Sequence, residues 1–467
     1  DGEAVLALGA RPERDALLPL RAGAAAAQAG LPLAPATVLR LAGEVPALPV
    51  PWPAPARDAL VSLLGAGGSA VPVWEALDAA GLLSRWLPPW ENVRFRPQRT
   101  PVHRHTVDRH CLQAAVEAAA LTRHVSRPDL LLVAALMHDF GKGVAGDHSE
   151  AGAVLARETA ERMGFPPADV DVLTTLVRNH LLLPEAATRR DLDDPATIAH
   201  VVDAVGSRDV LDLLAALTEA DAIAAGPLAW TPWRATLVRE LLWRVRAVLG
   251  GAALPEMGGL EDWQSELAAA GRLAVHLSPD STRVTVVATD RAGLLGAVTG
   301  VLTLHRLTIR RATVRTSTST SGDAVSVQIL GVEPSFAGPP APEVLREDIK
   351  RALEGSLDVE RRLAERAAAW QPPVAPVPDA SVTVLAGASE ESTVIEVRAH
   401  DVPGLLHSLA DAMASTGATV RSAVVGTLGA EAVDVFYLVG PDGGPLDPAT
   451  TDTALKVLRT ALGAATD

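Results

Sequence analysis

The sequence predicts an all-α domain followed by two α+β domains that repeat one another. Apolar residues recur at i, i+3, i+4 and i+7 through most of residues 103–250, which is the period of an amphipathic helix. From about residue 283 the pattern changes to alternating runs rich in Val and Thr, which is the period of a strand. The motif D-x-x-G-L-L occurs at Asp290 and again at Asp401, within the same order of strand, helix, two strands and helix. This internal repeat predicts two ferredoxin-like βαββα(β) units, although a final strand is not evident in either copy.

Composition narrows the class of protein. The chain has 467 residues, enough for two to four domains, and 48% of them are hydrophobic. A formal net charge of −15 argues against a nucleic-acid binder, because phosphate contacts need clustered Lys and Arg. The single cysteine, Cys111, excludes an internal disulfide framework and predicts a reducing, cytoplasmic setting.

The sequence also predicts neither a membrane span nor a secretory leader. We find no uninterrupted apolar run of eighteen residues and no basic segment followed by an apolar one. The first residues, "DGEAVLALGA", lack a methionine, which is typical of a piece of a longer polypeptide.

The domain boundaries follow from shifts in pattern and from proline density. Residues 1–100 are predicted to be a helical linker region, interrupted by an extended connector at "EVPALPVPWPAPA", since proline at that density breaks a helix. The predicted domains and linkers are, in order, helical domain 101–250, linker 251–282, first α+β domain 283–365, Pro-rich linker 366–380 and second α+β domain 381–467.

Four polar residues interrupt the apolar stripes of the helical domain. His110, His138 and His180 each lie in or directly after the apolar stripe of their own helix, and Asp221 continues the stripe of another. A lone inward histidine is usually an ordinary core residue. Burying an ionised Asp beside several imidazoles, however, would cost several kcal/mol without a partner. A shared divalent cation removes that cost, so the sequence predicts a metal site.

The order His110, His138-Asp139, Asp221 resembles the HD phosphohydrolase superfamily, whose metal ligands follow the pattern H…HD…D. This resemblance implies that Asp139 is a ligand, and His148 and His180 match the additional histidines of two-metal members. Lys142 lies in the glycine loop after the HD pair and is suited to neutralise a phosphate oxygen during hydrolysis. The role of His105 stays open between a site residue and an exposed loop histidine.

A narrower resemblance covers essentially the whole chain. The segments "ALMHDFGKGVAGDHSEAGA", "VRNHLLLPEAATRRDLDDPATI" and "LTEADAIAAGPLAWTPWR" and both D-x-x-G-L-L repeats resemble the bifunctional PII uridylyltransferase/uridylyl-removing enzymes of actinobacteria. The resemblance implies metal-dependent hydrolysis, with Mn or Mg, of UMP or AMP from a modified PII signalling protein. The catalytic residues it implies are Asp139, Lys142 and His148. The Gly-Ser turn and D-x-D pair of the family's nucleotidyltransferase domain do not occur in this sequence, so nucleotide transfer is not expected of these residues.

The two tail repeats resemble ACT domains, which sense glutamine in this family. Each turn brings glycine and backbone N–H groups to a helix N-terminus, an arrangement suited to an amino-acid carboxylate. The predicted ligand-binding residues are Asp290, Gly293, Leu294, Asp401, Gly404 and Leu405. Pairing of such domains within or between chains stays open, and a homo-oligomer through them is compatible with the sequence.

Two other functions remain as alternatives. The first is a hydrolase of small nucleotides such as guanosine alarmones, a family that also joins HD and ACT domains. The second is a non-catalytic amino-acid sensor whose helical block is only a scaffold. The complete ligand set argues against the second alternative.

Overall fold

The computed structural model of the chain describes residues 2–98, 103–254, 259–334, 338, 340–370, 377–428 and 430–463. Two compact units are present. The first comprises residues 1–184 and 200–253, and the second comprises residues 185–199 and 254–467.

Helices dominate the first unit, as predicted. Those of the chain up to residue 253 are α1 (Leu18–Gln28), α2 (Pro35–Glu44), α3 (Ala54–Leu64), α4 (Ala70–Ala79), α5 (Leu82–Trp86), α6 (Trp90–Val93), α7 (Val107–Leu121), α8 (Pro128–Met137), α9 (His148–Arg162), α10 (Pro167–Arg178), α11 (Leu182–Arg189), α12 (Pro195–Val205), α13 (Arg208–Ala225) and α14 (Pro232–Leu249). The predicted proline connector separates α2 from α3, because proline N–H groups are missing where a helix would need them.

The N-terminal helices belong to the same compact unit as the helical domain. The Arg57 guanidinium of α3 donates to the carbonyls of Met163 and Gly164 at 3.1 and 2.7 Å. The N–H of Trp52 donates to the carbonyl of Arg162 at 2.9 Å. These bonds attach the segment before residue 100 to the C-terminal end of α9, so it is part of a folded core.

The second unit is built on one eight-stranded antiparallel sheet. Its strands are β1 (Ala274–Leu277), β2 (Arg283–Thr289), β3 (Leu307–Thr318), β4 (Ala324–Pro334), β5 (Ser381–Val384), β6 (Thr393–His400), β7 (Thr419–Leu428) and β8 (Glu431–Val439). Its helices are α15 (Asp262–Ala270), α16 (Leu294–Leu304), α17 (Pro342–Leu353), α18 (Val359–Ala368), α19 (Leu405–Ala414) and α20 (Pro448–Ala461). The strand order is β1-β2-β4-β3-β7-β8-β6-β5, and β3 joins β7 through the pairs Arg311/Val424, Ala312/Ala423 and Thr313/Ser422.

The edge strand of each half comes from the N-terminal side of its repeat. β1 pairs with β2 and β5 pairs with β6, both antiparallel, so each occupies the position beside the first repeat strand. The sequence analysis found no final strand at the end of either repeat. In the structure, the additional strand of each repeat, β1 or β5, precedes the repeat in the chain. The predicted linker 251–282 accordingly contains α15 and β1, and α18 extends into the predicted linker 366–380. Residues 255–258 and 371–376 of these two linkers lie outside the described residues.

Helices α16 to α20 cover one face of this sheet. The apolar core between the sheet and these helices includes Val286, Val298, Ile395, Leu409 and Phe436, all buried. Within the described residues, no single helix is long and apolar enough to cross a membrane; α3 with the segment Gly67–Ala79 meets the length and composition test only as a pair bent by 108°.

Candidate metal centre

Two packed helices bring the first pair of predicted ligands together. His110 lies in the second turn of α7, on the face that also buries Val107, Cys111 and Ala114. Asp221 lies on α13, one turn after the buried Leu217 and Thr218. Because α7 packs along α13, the two side chains meet, and His110 Nε2 lies 2.8 Å from Asp221 Oδ1.

Two helix ends supply the next ligands. His138 directly follows α8, as its C-terminal cap. Asp139 comes next and is the N-terminal cap of a short 3₁₀ helix over Phe140–Gly143. His180 follows α10, two residues after its end at Arg178. His138, Asp139 and His180 are all buried. A helix end turns the chain, so neighbouring side chains at such a site point in different directions.

Glycine allows the loop after Asp139 to lie against α9. A Cβ atom on Gly141 would lie 2.0 Å from the His148 carbonyl oxygen, and one on Gly143 would lie 2.3 Å from the Asn92 carbonyl oxygen. Asp147 caps α9 by accepting from the N–H groups of Ser149 and Glu150. This close approach fixes His148, the first residue of α9, beside Asp139 and His180.

The ligand atoms converge on one small volume. His110 Nε2 lies 3.2 Å from His138 Nε2, and His138 Nε2 lies 3.3 Å from Asp139 Oδ2 and 3.5 Å from Asp221 Oδ1. His180 Nε2 lies 3.7 Å from Asp139 Oδ1. The donors divide into two groups, His110–His138–Asp221 and Asp139–His148–His180, and within each group the ligand atoms lie within 4.8 Å of one another.

Backbone carbonyls orient two of the imidazoles. His138 Nδ1 lies 2.8 Å from the Ala135 carbonyl oxygen, and His180 Nδ1 lies 2.7 Å from that of Val177. A carbonyl only accepts, so each Nδ1 carries the proton in the neutral ring and Nε2 presents its lone pair. This arrangement is typical of metal-binding histidines, whose second nitrogen donates to a fixed acceptor.

The buried carboxylates attract positive charge to the site. Neither carboxylate oxygen of Asp139 has an aligned hydrogen-bond donor, although Lys142 Nζ lies 2.7 Å from Oδ2 as an ion pair. Burial opposes the charged form of His138, but the carboxylates of Asp139 and Asp221 outweigh it and raise its pKa to about 10. Burial and the neighbouring His138 lower the pKa of His180 to about 4. The three imidazoles and two carboxylates of this site fit a divalent ion that takes nitrogen and oxygen ligands.

A cleft of about 920 Å³ opens beside these donors. Lys142 lines it and donates to Gln98 Oε1 at 3.0 Å while pairing with Asp139. Arg94 and Arg96, which the sequence did not single out, also line it and add positive charge. Arg94 is paired with Asp78 at 3.0 Å and Lys142 with Asp139, so these cations are held in fixed positions in the cleft lining.

His103, a histidine that the sequence analysis did not consider, lines the cleft. The sequence analysis had left open whether the nearby His105 belongs to the site. The His103 ring lies 5.2 Å from the ring of His110, and burial lowers its pKa to about 4. Among the described residues, the cleft lining includes His103 and not His105. The motif "HRH" offers two histidines two residues apart before α7 begins, so its spacing alone does not choose between them.

The predicted amino-acid-binding residues line two clefts of the second unit. Asp290, Gly293 and Leu294 line one of about 230 Å³, and Asp401, Gly404 and Leu405 line another of the same volume. Gly293 and Gly404 precede α16 and α19 with φ of 77° and 93°, a left-handed conformation that favours glycine. The N–H groups of Leu294 and Leu405 bond within their own turns, to the carbonyls of Arg291 and Val402.

Two domain families match parts of the chain. Residues 107–224 match the HD domain and residues 393–459 match the ACT domain. The first range contains every residue of the metal centre, and the second contains the turn at Asp401.

Several curated proteins are similar over most of the chain. A bifunctional uridylyltransferase/uridylyl-removing enzyme of Streptomyces coelicolor is 50% identical over 96% of this chain and 59% of its own length. One of Mycobacterium tuberculosis is 41% identical over 100% of this chain and 59% of its own length. One of Gluconobacter oxydans is 33% identical over 79% of this chain and 46% of its own length. The chain therefore spans about three-fifths of the first two relatives.

Proposed function

We propose that the chain hydrolyses nucleotidylated PII protein. The premise is that it is related over nearly its whole length to the bifunctional uridylyltransferase/uridylyl-removing enzymes and matches the HD and ACT domain families. The bond cleaved would be the phosphodiester between UMP or AMP and a tyrosine of PII. Convergence of His110, His138, His180, Asp139 and Asp221 on one buried volume is the observation that carries this proposal.

We propose that these five residues hold one or two Mn or Mg ions. When bound, such an ion supplies positive charge to the phosphodiester and acidifies a water molecule. The chain itself fixes the ligand geometry, since His138 and His180 are held in one tautomer by backbone carbonyls.

Lys142 and His148 line the cleft beside the metal ligands and would act on the phosphodiester bound there. The Lys142 ammonium, only 23% exposed, is placed to stabilise negative charge on a phosphate oxygen as it develops. His148 is less buried than His180 and lies beside it, with ring centroids 5.4 Å apart. An imidazole there can donate a proton to the departing tyrosyl oxygen.

We also propose that glutamine binds beside the turns at Asp290 and Asp401 and regulates this hydrolysis. Each turn places an acidic side chain next to the N-terminus of a helix, so an amino acid meets partners for both its ammonium and its carboxylate.

The test is release of nucleotide from UMP-modified and AMP-modified PII with added Mn, in the presence and absence of glutamine. We expect metal-dependent release, and the preferred nucleotide identifies the substrate. Asp139→Asn should reduce release about 10²–10³-fold, in the range that removal of an electrostatic catalytic group produces. It should also lower the Mn content of the protein while leaving glutamine binding intact.

His105→Gln is the matched control, because His105 is a neighbouring histidine outside the cleft lining. It should retain both metal and turnover. Retention of turnover by Asp139→Asn would contradict the metal mechanism. Hydrolysis of small nucleotides, with none of modified PII, would favour the alternative substrate class.

A further inference from the structure

The two clefts of the second unit occupy equivalent places in the two halves of the sheet. The N–H of Asp290 donates to the carbonyl of Ala324, and the N–H of Asp401 donates to that of Ala430. Val314 of β3 pairs with Gln328 of β4, as Val425 of β7 pairs with Asp434 of β8. Gln328 and Asp434 therefore stand at the same position, each on the wall of its own cleft.

These equivalent residues differ in charge. Gln328 is 2% exposed and Asp434 is 1% exposed, and each has a side-chain oxygen without a hydrogen-bond partner. The neighbour two residues earlier is Ser326 in one cleft and Ala432 in the other. At these two positions, one cleft thus presents a neutral amide and a hydroxyl, and the other presents a carboxyl group and a methyl group.

A second acidic group stands beside Asp434. Asp401 lines the same cleft, and its Oδ2 accepts a hydrogen bond from Thr427 Oγ1 at 2.8 Å. Burial and the charge of Asp401 raise the pKa of Asp434 to about 8. Below that pH the group holds a proton, and an ammonium that donates to the unpartnered oxygen would replace this proton and favour the ionised carboxylate.

Basic residues also line this cleft. Arg306 lies there with φ of 60°, in the left-handed conformation that Gly417 adopts with φ of 78° in the other cleft. Arg366 also lines the wall and donates to the Thr303 carbonyl at 2.7 Å. The lining of the cleft at Asp401 therefore combines two acids with several arginines, which suits a zwitterion, whereas the cleft at Asp290 has one acid, Asp290, and one arginine, Arg291.

We propose that the two clefts are unequal and that Asp434 makes the cleft at Asp401 the tighter one, by binding the ammonium group of an amino acid. This inference rests on the proposed effector function. In the cleft at Asp290, the Gln328 amide meets the same ammonium only as a dipole, so binding there is weaker.

The test is calorimetric titration of the chain with L-glutamine and with 4-carbamoylbutanoate, which is glutamine without its α-amino group. The unaltered chain should bind glutamine at two sites of different affinity. With the analogue, the titration should show only weak binding and no tight site. Asp434→Asn should weaken the tight site about tenfold or more, as loss of a buried ionic hydrogen bond does. It should also lose most of its preference for glutamine over the analogue.

Gln328→Glu provides a gain-of-affinity test that does not depend on the folding of Asp434→Asn. It should tighten the weaker site for glutamine and leave its affinity for the analogue unchanged or lower. Asp442→Asn, which removes an exposed acid outside both clefts, is the matched control and should leave both sites as they are.

The outcomes separate this inference from the proposal on which it rests. Glutamine binding with two equal sites, or with a tight site that Asp434→Asn leaves intact, would overturn the inference and keep the effector proposal. Absence of glutamine binding to the folded, unaltered chain would overturn both. Loss of the tight site together with loss of the preference for the α-amino group would support both.

Discussion

At the scale of single residues, the buried carboxyl group of Asp434 links ligand recognition to stability. Its pKa is raised from an ordinary value near 4 to about 8 by burial and by Asp401. The folded chain therefore keeps a proton that the unfolded chain loses at a lower pH. A buried acid of this kind costs stability progressively as the pH rises from about 4 to about 8.

Asp434→Asn should consequently change how stability depends on pH. Relative to the unaltered chain, the free energy of unfolding of the variant should gain on the order of 5 kcal/mol between pH 4 and pH 8. Urea unfolding at several pH values, with hydrogen exchange of β8 as the local readout, measures this difference. A constant difference across that range would show that Asp434 does not titrate as described.

The periodicity of the sequence identified some residues of the metal centre and of the clefts and missed others. His110 and Asp221 were identified because each interrupts or continues an apolar helical stripe, and the structure brings their side chains to 2.8 Å. Asp434 was not, since every residue from Glu431 to Leu438 is buried and alternation on β8 is lost. Arg94, Arg96 and His103 lie before α7, where no period constrains the direction of a side chain.

At the scale of elements, the 3₁₀ helix over Phe140–Gly143 sets the distance between α8 and α9. Gly141 permits the contact with the first turn of α9, because any Cβ there would overlap the His148 carbonyl oxygen. The glycines of "GKG" are thus explained by packing, beyond their freedom in the turn. Within this 3₁₀ helix, Lys142 lies three residues after Asp139 and pairs with it at 2.7 Å.

Gly141→Ala should displace α9 and with it His148. We expect destabilisation of about 1–3 kcal/mol, typical of overpacking, and weaker Mn binding, because Gly141 lies two residues after the proposed ligand Asp139. Thermal unfolding and metal titration measure the two effects. Gly68→Ala is the control, because a Cβ on Gly68 meets nothing within 4 Å. Equal behaviour of the two variants would contradict the packing role of Gly141.

The two edge strands show why the sequence revealed the repeats incompletely. β1 and β5 have four residues each, too short for alternation to be distinguished from chance. They also precede the repeats, whereas the predicted arrangement would place an additional strand after them. The core strands β2, β3, β4, β6, β7 and β8 were predicted because their runs of strand-forming residues are longer.

At the scale of the whole molecule, a short segment of the chain is held against the sheet by charges. In the second unit, Arg421 of β7 pairs with Asp194 at 2.8 Å, and Arg311 of β3 pairs with Asp191. The N–H of Asp191 donates to the hydroxyl of Tyr437, the only tyrosine of the sequence, at 2.9 Å. Because β3 and β7 are the two strands that join the halves, this segment is attached where the halves meet.

Arg421→Met should be costly, since Asp194 is only 2% exposed and would lose its main ionic partner. Removing one member of a buried pair destabilises by about 3–5 kcal/mol. The double variant Arg421→Met with Asp194→Asn should recover part of that loss, and chemical denaturation of all three chains measures the coupling. Arg361→Ala, at an exposed pair with Asp358, should change stability by less than about 1 kcal/mol. A cost no larger than that of Arg361→Ala would show that the buried pair contributes little.

The pairing of β3 with β7 has a consequence for how the chain responds to dilution. Both clefts of the second unit are lined by residues from both halves, and a single polypeptide supplies both halves. Sites assembled from separate subunits disappear when the protein is dilute, because association follows mass action. Here the two halves are covalently linked, so dilution of the protein does not change the number of these clefts per chain.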